Sequence, residues 1–201
     1  MKKKLLFLFI IIISVLISFC RANEPERTGI INLNDLKDWE RYSENPVYRD
    51  QINGYEVASD PHIFYDNNGD LWMIYSGDNN DHSSIKLAKG EDYTSWTQVK
   101  TLLPGDNSPG GTEHSGKETS FYRYSESRDK HQIYYIAYTT EEDYNAEIYM
   151  AESDDLEGPY SMSSVPIISA GTIAGKDVYL MTSPSVIEYE EGLYITFIGW
   201  N

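Results

Sequence analysis

Residues 59–77 read SDPHIFYDNNGDLWMIYSG, and this stretch decides how the chain folds. A short apolar segment at 61–65 is followed by a polar turn at 66–70 and an aromatic-rich segment at 71–75. Asn and Gly tolerate the positive φ angles that a tight hairpin turn requires. The stretch therefore predicts two antiparallel strands joined by that turn.

Two later stretches repeat this plan. Residues 117–139 begin with KETSFYRY and end with QIYYIAYT, and residues 182–200 begin with TSPSVIEY and end with LYITFIGW. We align the starts on Asp60, Glu118 and Ser183, which lie roughly 60 positions apart. A four-stranded unit that recurs in this way is typical of the blades of a β-propeller, in which equivalent positions of every blade meet at one axis. The sequence thus predicts an all-β propeller.

The repeats divide the chain into regions of different character. The predicted regions are a signal peptide at 1–22, an N-terminal lead-in at 23–49, and a partial propeller at 50–201 that contains blade 1 at about 58–104, blade 2 at about 117–168 and blade 3 from about 182. About two and a half blades are therefore expected in this chain. Such a unit fits a truncated or split propeller, or an open stack of sheets that assembles with another chain.

The N-terminus predicts export. Three lysines follow Met1, and the apolar run at 5–19 is shorter than the roughly 20 residues of a membrane span. Small residues near Ala22 suit cleavage by a signal peptidase, although a membrane anchor is the alternative. Cys20 is the only cysteine, so it could carry the lipid of a bacterial lipoprotein, and no internal disulfide is expected. We expect a secreted, periplasmic or cell-surface protein.

Composition narrows the choice of partners. The formal net charge is −16, which disfavours binding to nucleic acids and to anionic lipids. The chain has 17 tyrosines and 4 tryptophans, and this excess suits β-strands. Aromatic rings also stack on the apolar faces of sugars. The expected partner is an oligosaccharide or polysaccharide, and contact with a membrane is expected only through a lipid at Cys20.

Hairpin geometry predicts where a site would form. The start of the first strand and the end of the second strand of each hairpin lie at the same end, so the three blades should bring polar groups together around the axis. A concave surface with convergent polar groups is the usual place for a binding site. The candidate catalytic residues are Asp60 and Glu118, and the candidate substrate-binding residues are His62, Ser76, Asp78, His114, Ser183 and Trp200.

Two carboxylates across a cavity suit cleavage of a glycosidic bond, where one protonates the leaving oxygen and the other acts as base or nucleophile. Simpler interpretations of the same residues remain open. Asp60 could only open a strand, Glu118 could be a solvated acid, and His62 could be a packed side chain. The histidines at 82 and 114 lie in predicted loops and lack an evident third ligand, so we predict no metal site from the residues themselves.

Several motifs resemble a known group of enzymes. Residues 59–66 (SDPHIFYD) and 72–77 (WMIYSG) resemble the first blade of the five-bladed β-propeller glycosidases, which include glycoside hydrolase families 43, 32 and 62. The segments 85–88 (IKLA) and 93–96 (YTSW) resemble their recurrent blade ending, and 182–187 (TSPSVI) resembles another blade start. The resemblance implies a five-bladed propeller type and extends over most of the chain after the lead-in.

The resemblance also implies roles for particular residues. Asp60 matches the aspartate that is the general base in inverting members, or the nucleophile in retaining members that cleave fructans. A second aspartate usually opens a following blade, but Glu118 and Ser183 stand at those places in our alignment. The general acid of the family is a glutamate, usually on a later blade. An axial metal ion such as calcium occurs in propeller glycosidases, and no other cofactor is expected.

Together these observations predict an exported glycosidase that acts on plant polysaccharide or oligosaccharide containing arabinose or xylose. Asp60 would be its general base and Glu118 a candidate second carboxylate. One alternative is a non-catalytic carbohydrate-binding propeller on the cell surface, which the serine at position 183 favours. Another is an inactive fragment of a longer glycosidase.

Overall fold

The computed structural model describes residues 42–52, 55–56, 58–79, 82–105, 116–138, 145–190 and 192–201. The predicted signal peptide and most of the lead-in lie outside these residues. The features below belong to one compact unit, Glu44–Asn201. Regular structure in the described part consists of strands, as predicted, and it includes no helix that could cross a membrane.

Strands account for most of this unit. Those described are β1 (Gln51–Ile52), β2 (Tyr55–Glu56), β3 (Ala58–Tyr65), β4 (Leu71–Asn79), β5 (His82–Asp92), β6 (Ser95–Leu103), β7 (Lys117–Ser125), β8 (Lys130–Tyr138), β9 (Ala146–Ser153), β10 (Ser161–Met162), β11 (Gly171–Ile173), β12 (Lys176–Val178), β13 (Leu180–Tyr189) and β14 (Gly192–Trp200).

Blade 1 is a four-stranded antiparallel sheet in the order β3-β4-β5-β6. The turn between β3 and β4 forms because Gly69, at a φ of 83°, donates its N–H to the carbonyl of Asp66 at 3.0 Å. The Asp66 carboxylate also accepts hydrogen bonds from the backbone N–H groups of Asn68 and Asp70, both at 2.9 Å. An aspartate that bonds the backbone two residues on is a standard turn device, and it explains why this hairpin could be predicted.

Blades 2 and 3 are less regular. Blade 2 contains β7, β8 and β9 with antiparallel neighbours, but its fourth strand, β10, has only two residues. The hairpin of β13 and β14 follows, and β13 also pairs in parallel with β9 at Leu180 and Ala146. β10 pairs only with Ala151 and Glu152, near the end of β9. The start of β9 therefore pairs with β13, and blades 2 and 3 join there into one sheet. The sequence predicted neither this junction nor the small hairpin of β11 and β12.

The core lies between consecutive blades. Residues alternate along β4, so Trp72 and Ile74 join the cluster that faces blade 2, while Met73 and Tyr75 face the other way. The blade 1–blade 2 cluster contains Trp72, Ile74, Ile85, Leu87, Leu102, Leu103, Tyr122, Ile133, Tyr135, Ala137, Tyr149, Ala151 and Leu156. A smaller cluster between blades 2 and 3 contains Ile136, Ala146, Ile148 and Met181. A strand that is apolar on both faces is expected where sheets pack on both sides.

Candidate functional site

The first strand of every blade has the same irregularity near its start. The pairing register shifts between Ser59 and His62, between Glu118 and Phe121, and between Thr182 and Ser185. One residue inside each shift has a positive φ angle, and these are Asp60 at 51°, Thr119 at 45° and Ser183 at 52°. Residues other than glycine rarely adopt this conformation, and β-bulges often redirect side chains next to active sites. Its recurrence in three blades marks this end of the sheets as a specialised surface.

The three bulges correct the alignment of the repeats. Thr119, not Glu118, has the conformation and the register position of Asp60 and Ser183. Glu118 lies one residue earlier, where blade 1 has Ser59 and blade 3 has Thr182. Our alignment of Glu118 with Asp60 was therefore wrong by one position. It matched two acidic side chains, whereas the backbone bulge determines which residues are equivalent.

Hydrogen bonds connect the bulges from blade to blade. The backbone N–H of Thr119 donates to Oγ of Ser76 in blade 1 at 3.0 Å. The backbone N–H of Ser183 donates in turn to Oγ1 of Thr119 at 3.3 Å. Blades 1, 2 and 3 thus meet at the bulge end, as the hairpin geometry predicted. Ser76 is 2% exposed, so the structure gives it this bracing role in place of the substrate contact that we predicted.

Asp60 presents an accessible carboxylate at this end. Its side chain is exposed, and Oδ2 accepts a hydrogen bond from the hydroxyl of Ser59 at 3.0 Å. The bulge allows Asp60 to depart from the regular alternation of the strand, because a residue inside a bulge is not directly paired. A rigid sheet therefore holds the carboxylate while the carboxylate itself stays in contact with solvent.

Glu118 is half-buried and hydrogen-bonded at both carboxylate oxygens. Oε1 accepts from the hydroxyl of Ser83 on β5 at 2.7 Å, and Oε2 accepts from the hydroxyl of Tyr138 at 3.1 Å. Burial raises the pKa of Tyr138 to about 12, with further contributions from the charge of Glu118, its hydrogen bond and the charge of Asp60. Glu118 therefore contacts this phenol directly, whereas Asp60 acts on it only through its charge.

Tyr138 is a site residue that sequence reasoning missed. The residue before each bulge pairs with one residue of the second strand, and these partners are equivalent in the three blades. Ser59 pairs with Ser76, Glu118 with Ile136, and Thr182 with Ile198. Two residues further along each strand, the equivalent positions are Asp78 in blade 1, Tyr138 in blade 2 and Trp200 in blade 3. We had selected the first and the third of these. A correct alignment of the repeats would have added Tyr138.

His62 packs between blades 1 and 2. Its ring centroid lies 4.4 Å from that of Phe121 in an edge-to-face arrangement and 6.0 Å from that of Phe64. Burial lowers the pKa of His62 to about 4, so the imidazole is neutral near pH 7. This geometry supports the packed interpretation of His62 and not a contact with substrate.

The structure describes the side chains of only two of the four remaining predicted binding residues. Ser183 is exposed at its bulge, and Trp200 is 53% exposed at the end of β14, where its ring could stack on a sugar. His114 and the side chain of Asp78 lie outside the described part. Among the described residues, no group of three or more His, Cys, Asp or Glu side chains could hold a metal ion. The axial calcium ion stays a prediction.

A cleft of about 830 Å³ lies at the opposite, hairpin-turn end of blades 1 and 2, and its lining includes Asp66, Asp70, Asp155 and Tyr124. Three of its five carboxylates have local structural roles: Asp70 pairs with Lys89 at 2.7 Å, and Asp66 and Asp155 accept hydrogen bonds from backbone N–H groups. We therefore place the candidate active site at the bulge end.

These features are those of consecutive blades of a β-propeller. The sequence matches the family model of the glycosyl hydrolases family 32 N-terminal domain over residues 17–155, and the chain belongs to this family. The predicted membership in the five-bladed propeller glycosidases is thereby confirmed. No curated protein sequence matches the chain.

Solved structures share the fold. A thermostable family-43 glycoside hydrolase has a TM-score of 0.58 and 20% identity, and the match covers 77% of this chain and 51% of that one. A family 117 glycoside hydrolase from Zobellia galactanivorans has a TM-score of 0.57 and 18% identity, with 69% and 47% covered. A xylan β-1,4-xylosidase from Bacillus halodurans has a TM-score of 0.55 and 16% identity, with 72% and 28% covered. The chain thus spans about half or less of the length of these proteins.

Proposed function

We propose that the chain carries a glycoside hydrolase site at the bulge end of its blades, with Asp60 as the general base. The observation that carries the proposal is the exposed carboxylate of Asp60 in the blade 1 bulge, with a second carboxylate, Glu118, next to the blade 2 bulge at the same end of the sheets. Family membership supports the reaction class. In an inverting reaction, Asp60 would take a proton from the water that attacks the anomeric carbon.

The proposed substrates are plant oligosaccharides or polysaccharides that contain arabinose or xylose. The exposed indole of Trp200 could stack on such a sugar ring. Similarity to a xylan β-1,4-xylosidase and a family-43 enzyme supports this choice, although it rests on the fold alone. The family 32 match makes fructans the competing class, and there Asp60 would be a nucleophile.

Hydrolysis by the purified protein tests the proposal. The panel contains aryl arabinosides and xylosides, arabinan, xylan and inulin. We expect activity on the first four, and Asp60→Asn should lower it by at least about a hundredfold because proton transfer is lost. Asp154→Asn is the matched control, since Asp154 is an exposed acid on a turn of blade 2. Equal activity of the two variants would remove Asp60 from the mechanism.

A non-catalytic carbohydrate-binding protein is the second candidate. Ser183 favours it, because this serine occupies the third bulge position, where the family resemblance implies an aspartate. Affinity electrophoresis in gels that contain arabinoxylan would distinguish the two. Retarded migration that Trp200→Ala abolishes, without hydrolysis of any substrate in the panel, would favour binding.

We also propose that the chain is exported through the signal at residues 1–22. Mass spectrometry of the protein from a bacterial host would give the cleavage site. Incorporation of labelled palmitate that Cys20→Ala removes would identify a lipoprotein, whereas an unmodified N-terminus after Ala22 would identify a secreted form.

A further inference from the structure

The side chain of Tyr138 connects two parts of the molecule. Its ring packs against the cluster between blades 2 and 3, which includes Ile136 and Met181. Its hydroxyl leaves that cluster and donates to Oε2 of Glu118 at 3.1 Å. The position of the phenol is therefore set by apolar packing, and the position of the carboxylate depends on the phenol.

Glu118 is held from two sides. Ser83 belongs to blade 1 and Tyr138 to blade 2, and their hydroxyls donate to different oxygens of the carboxylate. Each carboxylate oxygen has a second lone-pair direction, so Glu118 can accept further hydrogen bonds from a ligand. Donated hydrogen bonds at both oxygens suit a carboxylate that accepts, not a carboxylic acid that must give up a proton.

We propose that Tyr138 is a positioning residue that holds Glu118 as an acceptor for a hydroxyl group of the sugar bound beside Asp60. This role rests on the proposed glycosidase function. It assigns Glu118 to substrate orientation and leaves proton donation to another group. It also makes the packing of blade 3 part of the site, since the ring of Tyr138 lies in the contact between blades 2 and 3.

The electrostatics agree with this geometry. The pKa of Tyr138 is raised to about 12 by burial and by the neighbouring carboxylates. The phenol therefore keeps its proton throughout the range in which a glycosidase works. Tyr138 remains a hydrogen-bond donor to Glu118 and does not exchange protons with substrate.

Tyr138→Phe tests the role, because it removes only the hydroxyl and leaves the ring in the core. Hydrogen bonds to charged groups are strong enough that its loss should lower kcat/KM by roughly tenfold or more, mainly through KM. Tyr149→Phe is the matched control: Tyr149 donates to Glu147 at 3.3 Å and its pKa is also raised to about 12, but both residues belong to β9, which β8 separates from Glu118 on β7.

Glu118→Gln completes a double-mutant cycle. If Tyr138 acts through Glu118, then Tyr138→Phe should cost little in the Glu118→Gln background. Fully additive losses, or a Tyr138→Phe enzyme as active as the Tyr149→Phe control, would overturn the proposal.

A second measurement does not depend on activity. In protein labelled at tyrosine Cζ, NMR titration should show that Glu118→Gln lowers the pKa of Tyr138 and leaves that of Tyr149 unchanged. An unchanged Tyr138 signal would refute the contact on which the inference depends. A wild-type protein that neither hydrolyses nor binds any glycan in the panel would instead refute the proposed function, and with it the sugar-binding role, while the titration would still decide whether Tyr138 holds Glu118.

Discussion

Blades 1 and 2 carry a tyrosine at the same position of their second strands, yet the two hydroxyls have different surroundings. Tyr75 and Tyr135 are 1% and 0% exposed. Tyr75 donates to Oδ2 of Asp50 at 3.3 Å and shares a hydrogen bond with the hydroxyl of Tyr48 at 2.8 Å. Among the described residues, the hydroxyl of Tyr135 has no hydrogen-bond partner. The blade pattern thus determines that an aromatic ring is buried here, whereas the segment that covers the blade determines whether its polar atom is satisfied.

The cover of blade 1 is the junction between the lead-in and the propeller region, which includes Tyr48 and Asp50. Asp50 is buried there and pairs with the buried ammonium of Lys86 at 2.6 Å. A Cβ added to Gly77 would lie 2.5 Å from Oδ2 of Asp50, so the close approach requires glycine. Blade 2 has Ala137 at the equivalent position, and Ala137 belongs to the apolar cluster between blades 1 and 2. Polar anchoring in blade 1 and apolar packing in blade 2 are alternative ways to cover the same strand.

The largest effect should come from removing the anchor of the lead-in. Breaking a buried ion pair by deleting one partner costs about 3–5 kcal/mol, so Asp50→Ala should lower the free energy of unfolding by that amount. Asp70→Ala is the control, because Asp70 forms an exposed pair with Lys89, and such pairs contribute about 0–1 kcal/mol. Urea unfolding measures both. A loss below about 1 kcal/mol for Asp50→Ala would mean that the lead-in does not stabilise blade 1.

Much of this fold could be predicted from the sequence, and the failures share a cause. The first two blades were predictable because β-hairpin turns such as 66–70 have local signals. The bulge at Thr119 was misplaced by one residue, since a bulge depends on pairing between strands and has no such signal. Asp50 was predicted only as the first residue of the propeller region, and its partner Lys86 is distant in sequence. Tyr138 was missed for the same reason: its role follows from the register of three separate hairpins.

Tyr75→Phe should have the next largest effect. The variant keeps the ring but removes one hydrogen bond from the buried Asp50 and one from the half-buried Tyr48, and a typical intramolecular hydrogen bond contributes about 0.5–1.5 kcal/mol. The expected fall in the free energy of unfolding is smaller than for Asp50→Ala, because the pair with Lys86 remains. Urea unfolding of the variant in parallel with Asp50→Ala gives the comparison, and a Tyr75→Phe protein as stable as the wild type would contradict it.

A smaller, pH-dependent difference should separate the blades at another shared position, where blade 1 has His62 and blade 2 has Phe121. The folded-state pKa of His62 is about 4 against 6.5 for the free side chain, so the unfolded chain binds more protons in this interval. Stability is therefore present above pH 6.5 and is lost as the pH falls toward 4, by about 1 kcal/mol after discounting for partial exposure.

His62→Phe should remove this part of the acid sensitivity, since it gives blade 1 the residue of blade 2. Thermal unfolding of wild type and variant at a series of pH values measures the difference in slope. The slope that remains in the variant belongs to other groups, among them His131, whose pKa burial also lowers. Identical slopes would show that His62 is already solvated in the folded protein.

The smallest change, and the one with the opposite sign, should come from Tyr135→Phe. Burial of a hydroxyl costs desolvation free energy, and here no hydrogen bond to a described residue offsets that cost. Removal of the hydroxyl should therefore leave the free energy of unfolding unchanged or raise it by up to about 1 kcal/mol. Because the ring stays in the cluster between blades 1 and 2, packing is preserved. Urea unfolding beside Tyr75→Phe tests the pair. If Tyr135→Phe were as costly as Tyr75→Phe, a buried water would have to satisfy the Tyr135 hydroxyl, and the two blades would then differ only in the source of the partner.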